Sequence, residues 1–321
     1  ADGVRMGLML AASAGNDILF DEALCEQGRN FNNKIWNAFR LIKGWQVDEK
    51  AAQPLTSAQA GEWFDALLSR SIGEMDDLLS KYRLSEALMS IYKLFWDEFS
   101  SWYLEMIKPP YGQPIDGTTY RATLDFFEKL LQLLHPFMPF ITEELWHHLK
   151  ERRDNESIML SAMPLAGKQN PELIDAFEQL KETIAAVRNI RQDKNISYKD
   201  ALKLLVVGHP AYPELLTSMC NLSGIEQVDT PPEGAIHFII RTTSFYLPLD
   251  GKIDVAEEIK KLQAELQHQE GFLTSVMKKL GNERFVGSAP AQVVELERKK
   301  KEDAESRIQT LKDQIKNLDC S

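Results

Sequence analysis

The sequence predicts a mainly α-helical fold: an aromatic-rich helical bundle, a small α/β module, and a long antiparallel coiled-coil arm. Three observations carry this. Apolar residues recur at three- and four-residue spacing through roughly the first 150 positions, the period shortens to that of strands between about 201 and 249, and after 255 it alternates between fours and threes.

The bundle contains about five helices joined by short connections. One lies around Phe31 to Trp45. From Thr56 to Tyr82, Trp63, Leu67, Leu68, Ile72, Met75 and Leu79 line one side of a helix, and from Leu84 to Ile107 the stripe is Leu88, Ile91, Tyr92, Phe95, Phe99, Trp102, Tyr103 and Met106. Pro109-Pro110 stops it, because neither ring nitrogen can donate. Two more helices run from about Thr119 to His135 and from Phe140 to Lys150, separated by Pro136 and Pro139. Asn170-Pro171 then reads as an N-cap followed by a first-turn proline. Short β-rich runs follow at Ala201–Val207, Ala235–Ile240 and Thr243–Leu249, with a helix over Pro213–Leu222 between the first two. In the last region Val255, Ile259, Leu262, Leu266, Gln269, Leu273, Val276 and Leu280 form an a/d seam, and Gly281 suits a C-cap. A second seam, Ile308, Leu311, Ile315 and Leu318, is weaker upstream, where Glu297 and Lys301 take core phases. Helices of about 27 residues extend about 40 Å. The expected division is 1–168, 169–250 and 251–321.

Composition bounds the function. The 321 residues are 44% hydrophobic and 26% charged, the balance of a globular protein. No run of 18 apolar residues occurs and the first residues do not read as a signal peptide, so the expectation is a cytoplasmic protein without membrane contact. Cys25, Cys220 and Cys320 are too scattered for a disulfide framework or a zinc knuckle. The net charge of -11 argues against a generally basic nucleic-acid binder, so any nucleic-acid site must be local, and DNA is not an expected partner. Residues 1–170 carry 17 basic and 24 acidic side chains, whereas residues 250–321 are nearly neutral with 13 and 14. The bases of that last region cluster at Lys278, Lys279 and Arg284, and at Arg298, Lys299, Lys300 and Lys301.

No catalytic constellation emerges. There is no P-loop, G-x-G-x-x-G, G-x-S-x-G or H-E-x-x-H, and His147 and His148, about 100° apart on a helix, make a poor metal-ligand pair. His135 and His209 each precede a proline and read as turn or packing residues, and Glu143-Glu144 as a helix-start pair. The expectation is no catalytic residue and no metal site within this chain.

One helix stands out. Between Arg29 and Arg40 the apolar stripe of Phe31, Ile35, Ala38 and Phe39 is opposed by Asn30, Asn33, Lys34, Asn37 and Arg40, with Trp36 between. Asparagine is a poor helix former, so this many in one helix cost stability without serving a core. Amides that donate and accept, beside cations and an aromatic ring, are what reading unpaired bases requires. A helix packed against buried polar neighbours is the alternative.

Arg29-Asn30-Phe31-Asn32-Asn33-Lys34-Ile35-Trp36-Asn37-Ala38-Phe39-Arg40 closely resembles the R-N-F-x-N-K-x-W-N-A-x-R signature of valyl-tRNA synthetases. Ala1-Asp2-Gly3-Val4-Arg5 and Ala14–Asp21 resemble the stretch that follows the KMSKS loop of that family. Leu134–Trp146 is similar to a segment shared by the anticodon-binding domains of related class I enzymes, and Asn282–Val286 with Ala289-Pro290 resembles the hairpin tip of the valine enzymes. Neither HIGH nor KMSKS occurs, so the resemblance implies a C-terminal fragment that begins after the catalytic core and is itself inactive. It further implies an anticodon-binding bundle contacting tRNA(Val) through Arg29, Asn30, Asn33, Lys34, Trp36, Asn37 and Arg40. The arm is implied to meet the outer corner of the tRNA through Lys278, Lys279, Arg284, Phe285 and Arg298 to Lys301. The parent reaction it implies is ATP-dependent (Mg) attachment of valine to tRNA, by a monomer, with no cofactor held in this fragment. The competing expectations are a scaffold whose hairpin binds a protein partner, and the same region of another class I synthetase.

Overall fold

The computed structural model describes residues 1–12, 21–153, 155–230, 232, 235–248, 255–281, 298–301, 304–305, 308–309, 311–312 and 315. The chain divides into two compact units, Ala1–Phe177 and Glu178–Ser321.

The first unit is helical. Its α1 (Asp2–Ala11) and α2 (Glu22–Lys43) approach each other through glycines: a Cβ on Gly28 would sit 2.6 Å from the Gly3 carbonyl oxygen, and one on Gly7 would sit 2.7 Å from Cys25 Sγ. Periodicity does not foresee α1, because small residues rather than a wide apolar stripe seat it. Asp21 caps α2 by accepting from Ala23 N at 2.9 Å. A two-residue strand, β1 (Val47–Asp48), pairs in parallel with β2 (Ile115–Asp116). Between them run α3 (Leu55–Ser80), α4 (Leu84–Lys93), a π-helical stretch at Leu94–Tyr103, and α5 (Leu104–Ile107).

The expected single α-helix over 84–107 is therefore widened in its middle. Ser101 Oγ donates to the Trp96 carbonyl five residues back at 2.9 Å, and Phe95, Phe99 and Tyr103 follow one another at 5.5 Å centroid spacing. Those rings close on Phe64, which lies 5.3 Å from Phe99, 5.0 Å from Tyr103 and 5.1 Å from Phe126. Tyr103 is fully buried, and its hydroxyl meets Thr123 Oγ1 at 2.9 Å.

Asp116 caps α6 (Gly117–Leu134) by accepting from Thr119 N at 2.8 Å. The following α7 (Pro139–Leu149) has no cap of its own; Asp2 supplies one from α1, accepting from Ile141 N at 2.7 Å and Phe140 N at 3.3 Å. On α7, His147 and His148 bond Glu143 and Glu144 one turn back, at 3.0 and 3.1 Å.

Asn170 caps α8 (Pro171–Asp193), accepting from Leu173 N at 3.2 Å. The second unit holds a four-stranded sheet in the order β4-β3-β6-β5. Its strands are β3 (Leu202–Val207), β4 (Leu222–Gln227), β5 (Ala235–Ile240) and β6 (Thr243–Pro248), with α9 (Pro213–Cys220) crossing between the parallel pair β3 and β4. Periodicity misses β4, since Leu-Ser-Gly-Ile-Glu-Gln has no strand pattern of its own and pairs because Asn221, at φ 49°, ends α9 and turns the chain onto β3. Arg191 is 4% exposed and donates to the carbonyls of Ser197, Asp200, Cys220 and Asn221 at 2.9–3.1 Å, tying the loops around β3 to α8. Burial pushes the adjacent Cys220 thiol up to about 12.

The last described helix is α10 (Val255–Leu280). Along it Val276 is buried and Leu262, Leu266, Gln269, Leu273 and Leu280 are half-buried, with mainly exposed positions between. Downstream, Ala304, Ile308 and Leu311 are buried, and Lys312 Nζ reaches Glu270 at 3.0 Å.

A three-way clasp of α6 to the end of α7 gives the fold a pH signature. Lys150 and Arg152 both bond Glu128, while the Arg152 guanidinium lies over the Trp146 ring at 3.2 Å. Burial by itself raises the Glu128 carboxyl, but the bonds and charges of Lys150 and Arg152 outweigh it and hold the group below its ordinary value. A carboxyl held low in the folded chain stabilises it above the unfolded value and loses that contribution as pH falls through the folded one. Glu128→Gln is therefore expected to destabilise by about 1–3 kcal/mol at neutral pH, with the gap closing below about pH 4. Urea unfolding of both chains at neutral and acid pH measures it; a gap that persisted at acid pH would mean the charge is not its source.

Candidate nucleic-acid interface

The rotation of α2 is set by its buried stripe. Phe31, Ile35 and Ile42 have no exposed surface, and Ala38 and Phe39 have little. Phe31 is held by Tyr92 at 4.8 Å and Phe95 at 5.6 Å, and Phe39 by Phe127 at 6.1 Å. At about 100° per residue the remaining positions fall on two adjacent outward stripes. Arg29, Asn33, Trp36 and Arg40 form the crest; Asn30, Lys34 and Asn37 form one flank. All are exposed except Lys34, which is half-buried. The helix-forming cost of the asparagines is thus incurred on a solvent face, and the alternative of buried polar neighbours does not apply to them. Asn32, outside the predicted set, is the half-buried one, and its Oδ1 has no hydrogen-bond partner among the described residues.

From Arg29 to Lys43 there are four basic and no acidic side chains, a local reversal of the charge of the whole chain. Arg29 lies 3.7 Å from Glu26, whereas no acidic group among the described residues reaches Arg40. The crest from Arg29 to Arg40 spans about 17 Å, the reach of several nucleotides. Trp36 is 40% exposed and leans on Phe39, its ring 6.0 Å away, so one face remains open.

Two aromatic neighbours of this face are absent from the sequence-based set. Tyr92 and Trp96, both half-buried, stack at 5.6 Å, and Lys34 Nζ lies 5.2 Å from the Trp96 ring centroid. Tyr92 reads as core from its spacing; Trp96 falls off that stripe, and an out-of-phase tryptophan is the signal that could have found it.

The other predicted cluster divides. Lys278 and Lys279 are exposed in the last turn of α10, whose end is closed by Gly281 N donating to the Met277 carbonyl at 2.8 Å. Arg284 and Phe285 lie outside the described residues. Arg298 and Lys299 are exposed in a helical segment, Lys300 and Lys301 are half-buried, and Lys301 pairs with Glu305 at 3.6 Å. Among the described residues no three His, Cys, Asp or Glu side chains gather as a metal site, and no helix is long and apolar enough to cross a membrane.

Residues 61–206 match the family model for the anticodon-binding domain of tRNA ligases, and residues 254–319 match that for the valyl-tRNA synthetase tRNA-binding arm. Over 320 residues the chain is 60% identical to a valine–tRNA ligase of Parabacteroides distasonis, covering 99% of this chain and 37% of the relative. The chain belongs to the valine–tRNA ligase family. Identity to the ligase of Phocaeicola vulgatus is 57% over 321 residues, and to that of Carboxydothermus hydrogenoformans 34% over 339, with 37% and 38% of those proteins covered. The chain thus spans well under half the length of the family members it matches, and α2 precedes the span of the first family model while packing into the same unit.

Because the crest and flank lie outside the core, Asn37→Ala and Arg40→Ala are expected to change stability by no more than about 0.5 kcal/mol. Phe31→Ala should cost about 3–5 kcal/mol. Thermal unfolding of the three chains separates surface from core; a large loss for Asn37→Ala would place that amide in the packing.

Proposed function

We propose that this chain is the tRNA-holding, C-terminal portion of a valine–tRNA ligase, whose complete form joins valine to tRNA(Val) with ATP and Mg2+. The observation that carries this reading is the exposed face of α2: amides, guanidinium groups and an indole on a surface that packing did not require, in a stretch without acidic side chains. Such a face meets unpaired bases by hydrogen bonding and stacking, and the backbone by charge. We assign it to the anticodon region, with residues 1–168 as the anticodon-binding bundle, 169–250 as a linking module and 251–321 as an antiparallel coiled-coil arm. The half-buried seam of α10 and the Glu270–Lys312 pair support the arm, whose Lys278, Lys279, Arg284, Phe285 and Arg298–Lys301 we assign to the outer corner of the tRNA. We assign the ATP- and Mg2+-dependent chemistry to the part of the complete ligase that this chain does not span. Its part is to bind and orient one macromolecule as a monomer in the cytoplasm.

Titration with a tRNA(Val) anticodon stem-loop tests the first assignment. Arg40→Ala and Asn37→Ala should each weaken binding by about 1–3 kcal/mol. Unchanged affinity would remove α2 from the interface.

Full-length tRNA(Val) tests the second. Replacing Lys278, Lys279 and Arg284 with Gln should make the dependence of log affinity on log salt shallower by about 0.7–0.9 for each phosphate that is no longer neutralised. Equal slopes, or salt-insensitive self-association through the hairpin, would favour a protein partner for the arm.

A further inference from the structure

We infer that Trp96 is a positioning residue for RNA, holding the Lys34 ammonium at a fixed place on the flank of α2. The inference rests on the tRNA-binding reading above and assigns a role to a residue that the sequence pattern leaves out. A lysine on an exposed helix samples many rotamers, and fixing it at the moment of binding costs side-chain entropy. Lys34 is only half-buried, yet its Nζ lies 5.2 Å from the Trp96 centroid, within cation–π range. Trp96 is itself braced. Tyr92 stacks on it at 5.6 Å with 27° between the planes, Phe31 lies 6.3 Å away, and Ser101 Oγ donates to its carbonyl in the π-helical turn. The widened turn has a consequence beyond packing: it carries an indole off the core stripe and onto the side of α2 where Asn30, Lys34 and Asn37 line up. The ammonium is thereby set in the middle of that amide flank, available to a backbone phosphate beside bases read by Asn30 and Asn37.

A double-mutant cycle on the full 321-residue chain tests this, with the tRNA(Val) anticodon stem-loop as probe at several KCl concentrations. Lys34→Gln and Trp96→Phe should each lower affinity, the latter by about two- to tenfold, since Phe is the weaker cation partner. Both should make the salt slope shallower, Lys34→Gln by about 0.7 for a single-stranded phosphate. The double variant should bind like Lys34→Gln alone. Additive losses would show that Trp96 meets the RNA by itself, and native-like binding by Trp96→Phe would show that it positions nothing; either overturns the inference while leaving the RNA reading intact. If Trp96→Phe lowers the thermal midpoint, Trp96→Tyr repeats the comparison, and an affinity loss that persists at the Lys34→Gln background marks a structural role instead. Absence of salt-sensitive binding by the native chain would overturn the RNA reading, and this inference with it.

Discussion

The seating of Phe31 between Tyr92 and Phe95 governs the rest of the first unit, because it fixes the rotation of α2 about its own axis. A helix offers its polar residues to solvent only at the angle its apolar residues allow. With Phe31, Ile35, Ala38, Phe39 and Ile42 all facing inward, a rotation of one residue would carry Asn30 or Asn32 toward the core, where an unpaired amide costs about 1–3 kcal/mol. The proposed interface is therefore held by groups that do not belong to it. Phe39 repeats the lock further along, against Phe127 of α6. The same economy appears at α7, whose start is capped by Asp2 and not by a residue of its own.

Charge is organised at a shorter range than the composition conveys. A polyanion approaching a chain of net charge -11 is repelled at long range, but at physiological salt the Debye length is about 8 Å, so at contact distance a local basic stretch such as that of α2, where Arg29 meets Glu26 and Arg40 meets no acidic group among the described residues, counts for more than the net charge. The ion pairs of the first unit agree with this. Lys81–Asp77, Arg83–Glu86 and Lys129–Asp125 neutralise bases on other helices, while Arg40 meets no acidic group among the described residues. Lys34 is set against an indole, its Nζ 5.2 Å from the Trp96 ring centroid.

What was legible in the sequence tracks how local the determining interaction is. The α8 start follows from Asn170, which caps a helix whose third residue donates to it, and α7 begins at Pro139, where the proline pair marks it, whereas the Asp116 cap that starts α6 at Gly117 lies ahead of the expected start near Thr119. The elements that periodicity misses are set from a distance. The α1 helix is seated by glycine contacts with α2, β4 is recruited by β3, and the π-helical turn follows from aromatic rings that must reach Phe64 and Phe126. On the face of α2, composition and spacing located the amides and bases, but Trp96 could be placed beside Lys34 only by bringing two separated helices together.

By itself the sequence determined the mainly helical class, the order of helical bundle before strands, and the odd concentration of asparagine with arginine in one helix. Those are properties of period, caps and composition, each carried within a turn or two of chain. The tertiary structure alone decided which side of that helix faces solvent, that its polar set splits into a crest and a flank, and that the flank lysine rests on a tryptophan. The reason is physical: rotation of a helix and the meeting of distant side chains are fixed by packing against other elements, and no local pattern encodes the partner.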